Sequence, residues 1–104
     1  MNAKDNGGDA VEHKKDELLV QVRYLAVHQP YVEPHAAVTD TLGQLKARSL
    51  THFGLVEGDA DGGRKTYSLS LAGETLTDIT IALGSLADGK HRLEFTLVEQ
   101  FIQG

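Results

Sequence analysis

Five histidines, His13, His28, His35, His52 and His91, are the side chains best suited to holding a metal ion. Zinc sites need ligands at close, recurring spacings, so that several reach one ion at once. These five are scattered along the chain with no such spacing, so exposed surface positions are expected and a metal site is not. Glu57, Asp59 and Asp61 alternate along a glycine-bearing stretch, as calcium ligands do. The bidentate glutamate that closes a calcium loop is missing at the required distance, which leaves a solvated acidic loop. Gly62-Gly63 with Lys65-Thr66 resemble a phosphate loop only in part: Arg64 intervenes, and the residues that follow alternate like a strand. Nucleotide binding is therefore not expected. No serine sits in a Gly-x-Ser-x-Gly elbow, and the chain has no cysteine. A serine elbow, a thiol nucleophile, a thiolate metal site and a disulfide scaffold are all set aside. What is left is a chain expected to be no enzyme, with no catalytic residues and no cofactor.

The elements that would position any site are clearer. In LLVQVRYLA, Leu18, Val20, Val22 and Tyr24 share one face of a strand, and Gln21 and Arg23 share the other. His28-Gln29-Pro30 makes a turn, and Tyr31 to Val38 forms a second strand in which Pro34 marks an edge or a bulge. Thr41 and Gln44 have the spacing of a capping box, and Asp40 favours a helix start electrostatically. Leu42, Leu45, Leu50 and Phe53 then form an apolar stripe, with Lys46 and Arg48 expected in solvent. Gly54 ends the helix, and Gly43 in its first turn weakens it by up to about 1 kcal/mol. Residues 57–64, EGDADGGR, read as a loop. TYSLSLAG follows as a strand with Tyr67, Leu69 and Leu71 inward and Ser68 and Ser70 outward. Ala72-Gly73 turns the chain into a short strand at Glu74-Thr75-Leu76. Asp78 to Leu86 read as mixed turn and short helix, and residues 87–90 as another turn. In the last strand Leu93, Phe95 and Leu97 oppose Arg92, Glu94 and Thr96.

A chain of 104 residues fits one domain, with 40% hydrophobic and 24% charged residues. Residues 1–16 are polar with two adjacent glycines and are expected as a flexible leader, since they can bury too little to offset their ordering. No apolar run approaches the roughly 20 residues a membrane helix needs, so no membrane partner is expected. The absence of cysteine suits a cytoplasmic protein. A formal net charge of −5 repels a phosphate backbone, so nucleic acid is not an expected partner.

Two strands, one long helix, then further strands ending the chain: this order resembles the α+β fold called the β-grasp, a mixed sheet wrapped around one helix. DTLGQLKAR (Asp40 to Arg48) is similar to the opening of the ubiquitin helix. LSLAGETL (Leu69 to Leu76) resembles the ubiquitin segment that passes through Ala-Gly into a short strand. RLEFTLVEQ (Arg92 to Gln100) resembles its last strand. The resemblance covers Leu18 to Gly104 and implies a ubiquitin-like domain over residues 17–100 with a tail at 101–104. The sequence's distance from ubiquitin suits the modifiers of bacterial conjugation systems.

The resemblance also implies a chemistry. In ubiquitin-like modifiers the terminal glycine carboxylate is adenylated by an activating enzyme, passed to thiols of conjugating enzymes and joined to an amine of a target protein. Deconjugating proteases reverse the link. Gly104 would be that residue, and glycine suits it because a backbone without Cβ can enter a narrow channel. Glu99, Gln100, Phe101, Ile102 and Gln103 would be the flexible, partner-binding arm, and Lys46 lines up with a chain-building lysine. The chain departs from the family at its end, where Gln103 replaces a second glycine and Phe101 and Ile102 replace arginines. Ser70 and Thr96 line up with members of ubiquitin's apolar recognition patch, so dedicated partners are expected instead of the usual ubiquitin readers. A sulfur carrier ending in a thiocarboxylate and a non-covalent β-grasp interaction module remain the alternatives.

Overall fold

The structure is a computed structural model that describes residues 17–103; the segment expected as a leader and Gly104 lie outside it. The strands are β1 (Glu17–Tyr24), β2 (Tyr31–Ala37), β3 (Gly58–Ala60), β4 (Gly63–Leu71), β5 (Glu74–Leu76) and β6 (Arg92–Gln103). The helices are α1 (Leu42–Phe53) and α2 (Leu83–Ala87).

Period-two alternation sets the core face of the sheet. Leu18, Val20 and Val22 of β1, Tyr67 and Leu69 of β4, and Leu93, Phe95 and Leu97 of β6 are all buried. The strand order is β2-β1-β6-β4-β3, with β5 also paired to β4. β1 and β6 run parallel from Leu19 beside Arg92 to Tyr24 beside Leu97, and every other pairing is antiparallel. Pro34 falls where the β1–β2 register shifts, between the partners Glu33 and Ala36. Proline has no N–H for the ladder, so a bulge on an edge strand accommodates it.

Helix α1 lies against the core face and begins where the sequence places it. Thr41 Oγ1 accepts from the Gln44 N–H at 3.2 Å, and Gln44 Oε1 accepts from the Thr41 N–H at 2.8 Å. The first four helical amides need partners from outside the regular ladder or from its first turn. Here the Leu42 N–H donates to Ile81 O at 2.9 Å and the Gly43 N–H to Ile79 O at 2.8 Å. Gln44 uses the Thr41 side chain, and the Leu45 N–H reaches Thr41 O at 3.1 Å. Gly43, expected only as a weakness, permits this approach: a Cβ there would stand 3.1 Å from Ile79 O. At the other end Gly54 adopts φ 72°, and the Gly54 and Leu55 amides bond back to Thr51 O and Leu50 O. That is a Schellman ending.

The buried side of α1 is Leu42, Leu45 and Ser49, with Leu50 and Phe53 half-buried beside them. Ser49 was no part of the expected stripe. Its hydroxyl donates to Leu45 O at 2.8 Å, and this internal bond is what lets it sit fully buried.

The acidic segment differs from expectation. Past Glu57 this segment is not a loop but a hairpin, in which β3 pairs with β4 across the two-residue turn Asp61-Gly62. Gly62 at φ 81° supplies the left-handed residue that the turn requires. A second two-residue turn joins β4 to β5, with Ala72 at φ 52° and Gly73 at φ 84°. Asp78 to Leu86 form turns and then the start of α2, as expected.

Candidate functional site

The last strand has two parts with different surroundings. From Arg92 to Leu97 it is paired with β1, joined by β4 on its other side from Phe95 onward; from Val98 to Gln103 it is paired with β4 alone among the described residues. The arm expected to be free is therefore paired with β4: Gln100 lies opposite Thr66, Ile102 opposite Arg64 and Gln103 opposite Gly63. The sequence missed this because β4 begins inside the segment read as a loop. With β4 extended to Gly63, β6 has a template along its whole length. The domain boundary drawn after Gln100 falls within this continuous strand.

Each residue of the arm has a definite place. The Glu99 carboxylate accepts hydrogen bonds from the Tyr67 hydroxyl at 3.2 Å and the Tyr24 hydroxyl at 3.4 Å. Burial, followed by the adjacent Glu99 charge, pushes the Tyr67 phenol up to about 12. Tyr67 thus remains a donor across the ordinary pH range. Gln100 Oε1 accepts from Ser68 Oγ at 3.3 Å. Phe101 and Ile102 are 48% and 56% exposed, on opposite faces of the ribbon. Gly63 belongs to the same site: a Cβ there would stand 2.1 Å from Ile102 O and 2.8 Å from the Phe101 ring. Only glycine lets β4 lie this close beneath Phe101.

Lys46, expected in solvent, forms an ion pair with Glu57 at 2.9 Å and keeps 23% of its side chain exposed. Glu57 also accepts from the Tyr67 N–H at 2.8 Å. Burial raises the Glu57 carboxyl, but the Tyr67 amide and Lys46 outweigh it and hold the group low. Glu57, expected in a solvated acidic loop, is thus a structural acid, and Asp59 lies within β3.

Arg48 was also expected in solvent. Its Nε and Nη2 instead grip Glu33 at 2.6 and 2.9 Å, and Nη2 reaches Asp40 at 3.1 Å. The Tyr31 hydroxyl donates to the same Glu33 carboxylate. Burial raises Glu33, yet the bonds from Arg48 and Tyr31 prevail and hold it below its ordinary 4.5. This cluster ties β2 to α1. An open groove of about 420 Å³ beside it is lined by Tyr31, Ala47, Arg48, Thr51 and His52.

The remaining histidines in the structure do not converge. His35 contacts Glu17 at 3.1 Å, and His52 packs on Tyr31 with ring centroids 4.6 Å apart. Among the described residues no group of three metal-ligating side chains forms. Ser70 and Thr96 face each other across β4 and β6 on the sheet face turned away from α1. Ser70 is more enclosed than its outward position suggested, at 9% exposed. No described helix is long and apolar enough to cross a membrane.

No family model matches the sequence, and no curated protein matches it at a significant level. Solved structures do. The chain is similar to ubiquitin of Caldiarchaeum subterraneum, with a TM-score of 0.61 and 17% identity over 85% of this chain and 99% of that one. It is also similar to a structure described as "Molecular Mimicry of SUMO promotes DNA repair", with a TM-score of 0.59 and 16% identity over 80% of this chain and 91% of that one. At such identities the likeness establishes the fold: an α+β, ubiquitin-like β-grasp in which one mixed sheet clasps one main helix.

Proposed function

We propose that this chain is a ubiquitin-like protein modifier, joined to target amines through the carboxylate of Gly104. The observation that carries this reading is the course of β6. The strand leaves the core after Leu97 and runs six residues further with side chains mostly in solvent, toward Gly104. A fold shared with an archaeal ubiquitin over nearly that protein's whole length supports the same reading.

The chemistry belongs to partner enzymes. The Gly104 carboxylate attacks the α-phosphorus of ATP and expels pyrophosphate, giving an acyl-adenylate. An enzyme thiol displaces AMP, and a target amine then displaces the thiol to leave an amide bond. This chain contributes no catalytic group. It contributes an end small enough to enter a channel and a body that identifies it to the enzymes. The arm must separate from β4 before it can be threaded, and Phe101 and Ile102, already half exposed, then offer their whole surface to an apolar groove in the activating enzyme. A deconjugating protease would grip the same opened arm. Lys46, paired with Glu57, is a poor acceptor until that pair breaks.

Incubation with ATP and an adenylating enzyme that accepts the chain tests the proposal. Adducts are expected from the full chain and none from a chain lacking Gly104; an equal yield from both refutes it. The paired state of Phe101 to Gln103 favours one second reading, a non-covalent module that presents the ribbon to a partner. That reading expects removal of Gly104 alone to leave partner binding intact, and removal of 102–104 to weaken it.

A further inference from the structure

The backbone of β6 beyond Leu97 has a direction that the turns fix. Two-residue turns close on the pairs Ala60–Gly63 and Leu71–Glu74. In such hairpins the closing pair is hydrogen-bonded, and bonded pairs recur at every second residue. The odd-numbered residues of β4 therefore direct their N–H and C=O away from β6, toward β3 and β5. The Tyr67 N–H agrees, since the Glu57 carboxylate takes it. It follows that Glu99, Phe101 and Gln103, opposite Tyr67, Lys65 and Gly63, turn their backbone groups away from β4. β1 meets those groups only as far as Leu97.

The sheet's other edges are guarded. β2 carries Pro34 and a bulge, and β3 and β5 are each three residues long, with Asp59 at the centre of β3 and Glu74 at the start of β5. Both devices hinder the addition of another strand. Val98 to Gln103 has neither. VEQFIQ contains no proline, no glycine and one charge, and combines β-branched and aromatic residues, the composition of a segment that pairs readily.

We propose that this edge pairs with its own copy, so that two chains associate antiparallel along Glu99 to Gln103 about a twofold axis at Phe101. In that register Phe101 meets Phe101 and Glu99 meets Gln103, so no like charges oppose. On the other face Ile102 meets Gln100. Odd residues meet odd ones, so the Phe101–Phe101 and Glu99–Gln103 pairs bring the outward-facing N–H and C=O of one chain to those of the other. Shifting the axis to Gln100 would drive Gln103 against the end of β1 beside Leu97, so the register at Phe101 is the one that fits. The pairing does not depend on conjugation at Gly104.

So short a strand contact buries less than the roughly 1,600 Å² of a standard interface, so dissociation on the order of 100 µM is expected. Each copy carries a formal net charge of −5, and added salt should tighten the dimer by screening that repulsion. An interface held by ion pairs would do the reverse.

Light scattering and sedimentation of the full chain up to about 1 mM test this. A concentration-dependent dimer is expected, and Phe101→Lys, which sets two charges against each other at the axis, should weaken it at least about tenfold. The chain has no cysteine of its own, so with oxidised glutathione as the electron acceptor Phe101→Cys should give a disulfide-linked dimer while Glu74→Cys, on β5, does not. A chain monomeric at every concentration overturns the proposal. So does a dimer indifferent to Phe101→Lys in a variant whose melting curve shows it folded. So, too, does protection of the Glu99, Phe101 and Gln103 amides from exchange in a dilute monomer, since that would mean the edge is already filled.

Discussion

The sheet is held together in two different ways along its length. Where β1, β4 and the first half of β6 meet α1, Leu45, Leu69, Phe95 and Leu97 are buried, and each strand has a neighbour on both sides. Where β3, the start of β4 and the end of β6 run on together, neither described helix lies beneath them. Pairing, the Glu99–tyrosine bonds and the fit of Phe101 over Gly63 do the holding. The first region draws its stability from apolar burial, at about 25 cal/mol per Å². The second draws on hydrogen bonds that contribute only about 1 kcal/mol each against water. A handle that other proteins must peel open is built from the second kind of stabilisation, because local opening is then possible without unfolding the body.

The contrast can be broken most severely from within the core. Leu45→Ala should destabilise the whole domain by about 3–5 kcal/mol, read by denaturant unfolding, and the ribbon should melt with it. Gly63→Ala should separate the regions: a Cβ meeting Ile102 O has to push β6 aside, at a local expense of about 2 kcal/mol. Amides of Gln100 and Ile102 should then exchange quickly while those of Val20 and Val22 keep their protection. Equal loss of protection in both regions would show that they are one cooperative unit.

Arg48→Ala should cost about 1–2 kcal/mol by leaving Glu33 with Tyr31 alone. Because Glu33 is held below 4.5, its contribution is complete above the ordinary carboxylate range and is lost as pH falls through its lowered value. The variant should show a shallower decline in stability on acidification. The smallest expected effect is a gain. Ala72 sits at φ 52°, where a Cβ is unfavourable, and Ala72→Gly should stabilise the hairpin by about 0.5–1 kcal/mol in thermal unfolding.

The sequence made the body legible because its strands alternate cleanly and α1 announces both of its ends. Thr41, Gln44 and Gly54 act through near neighbours, and short-range chemistry of that sort survives in a one-dimensional reading. The candidate site was only half legible. The position of β6 and its apolar tail residues could be read, but whether the tail was free depended on where β4 began. Glycine-rich, acidic residues 57–64 hid that start, since Asp61-Gly62 serves a hairpin as well as it serves a loop. The clasp of Arg48 on Glu33 and Asp40 left no trace in spacing, because β2 and α1 are brought side by side only by the tertiary fold. Ser49 was missed for a related reason: a small polar residue that bonds its own helix can replace an apolar one.

The start of α1 has a consequence for how the chain comes off the ribosome. Its first two amides find their acceptors at Ile79 and Ile81, nearly forty positions downstream of Leu42 and Gly43. Until that stretch has been synthesised, the helix has only its Thr41–Gln44 clasp to hold its leading turn, and β6 has not emerged either. The body is therefore completed late and almost all at once, and a nascent protein stalled before Asp78 would expose Leu42 and Leu45 to whatever lies nearby.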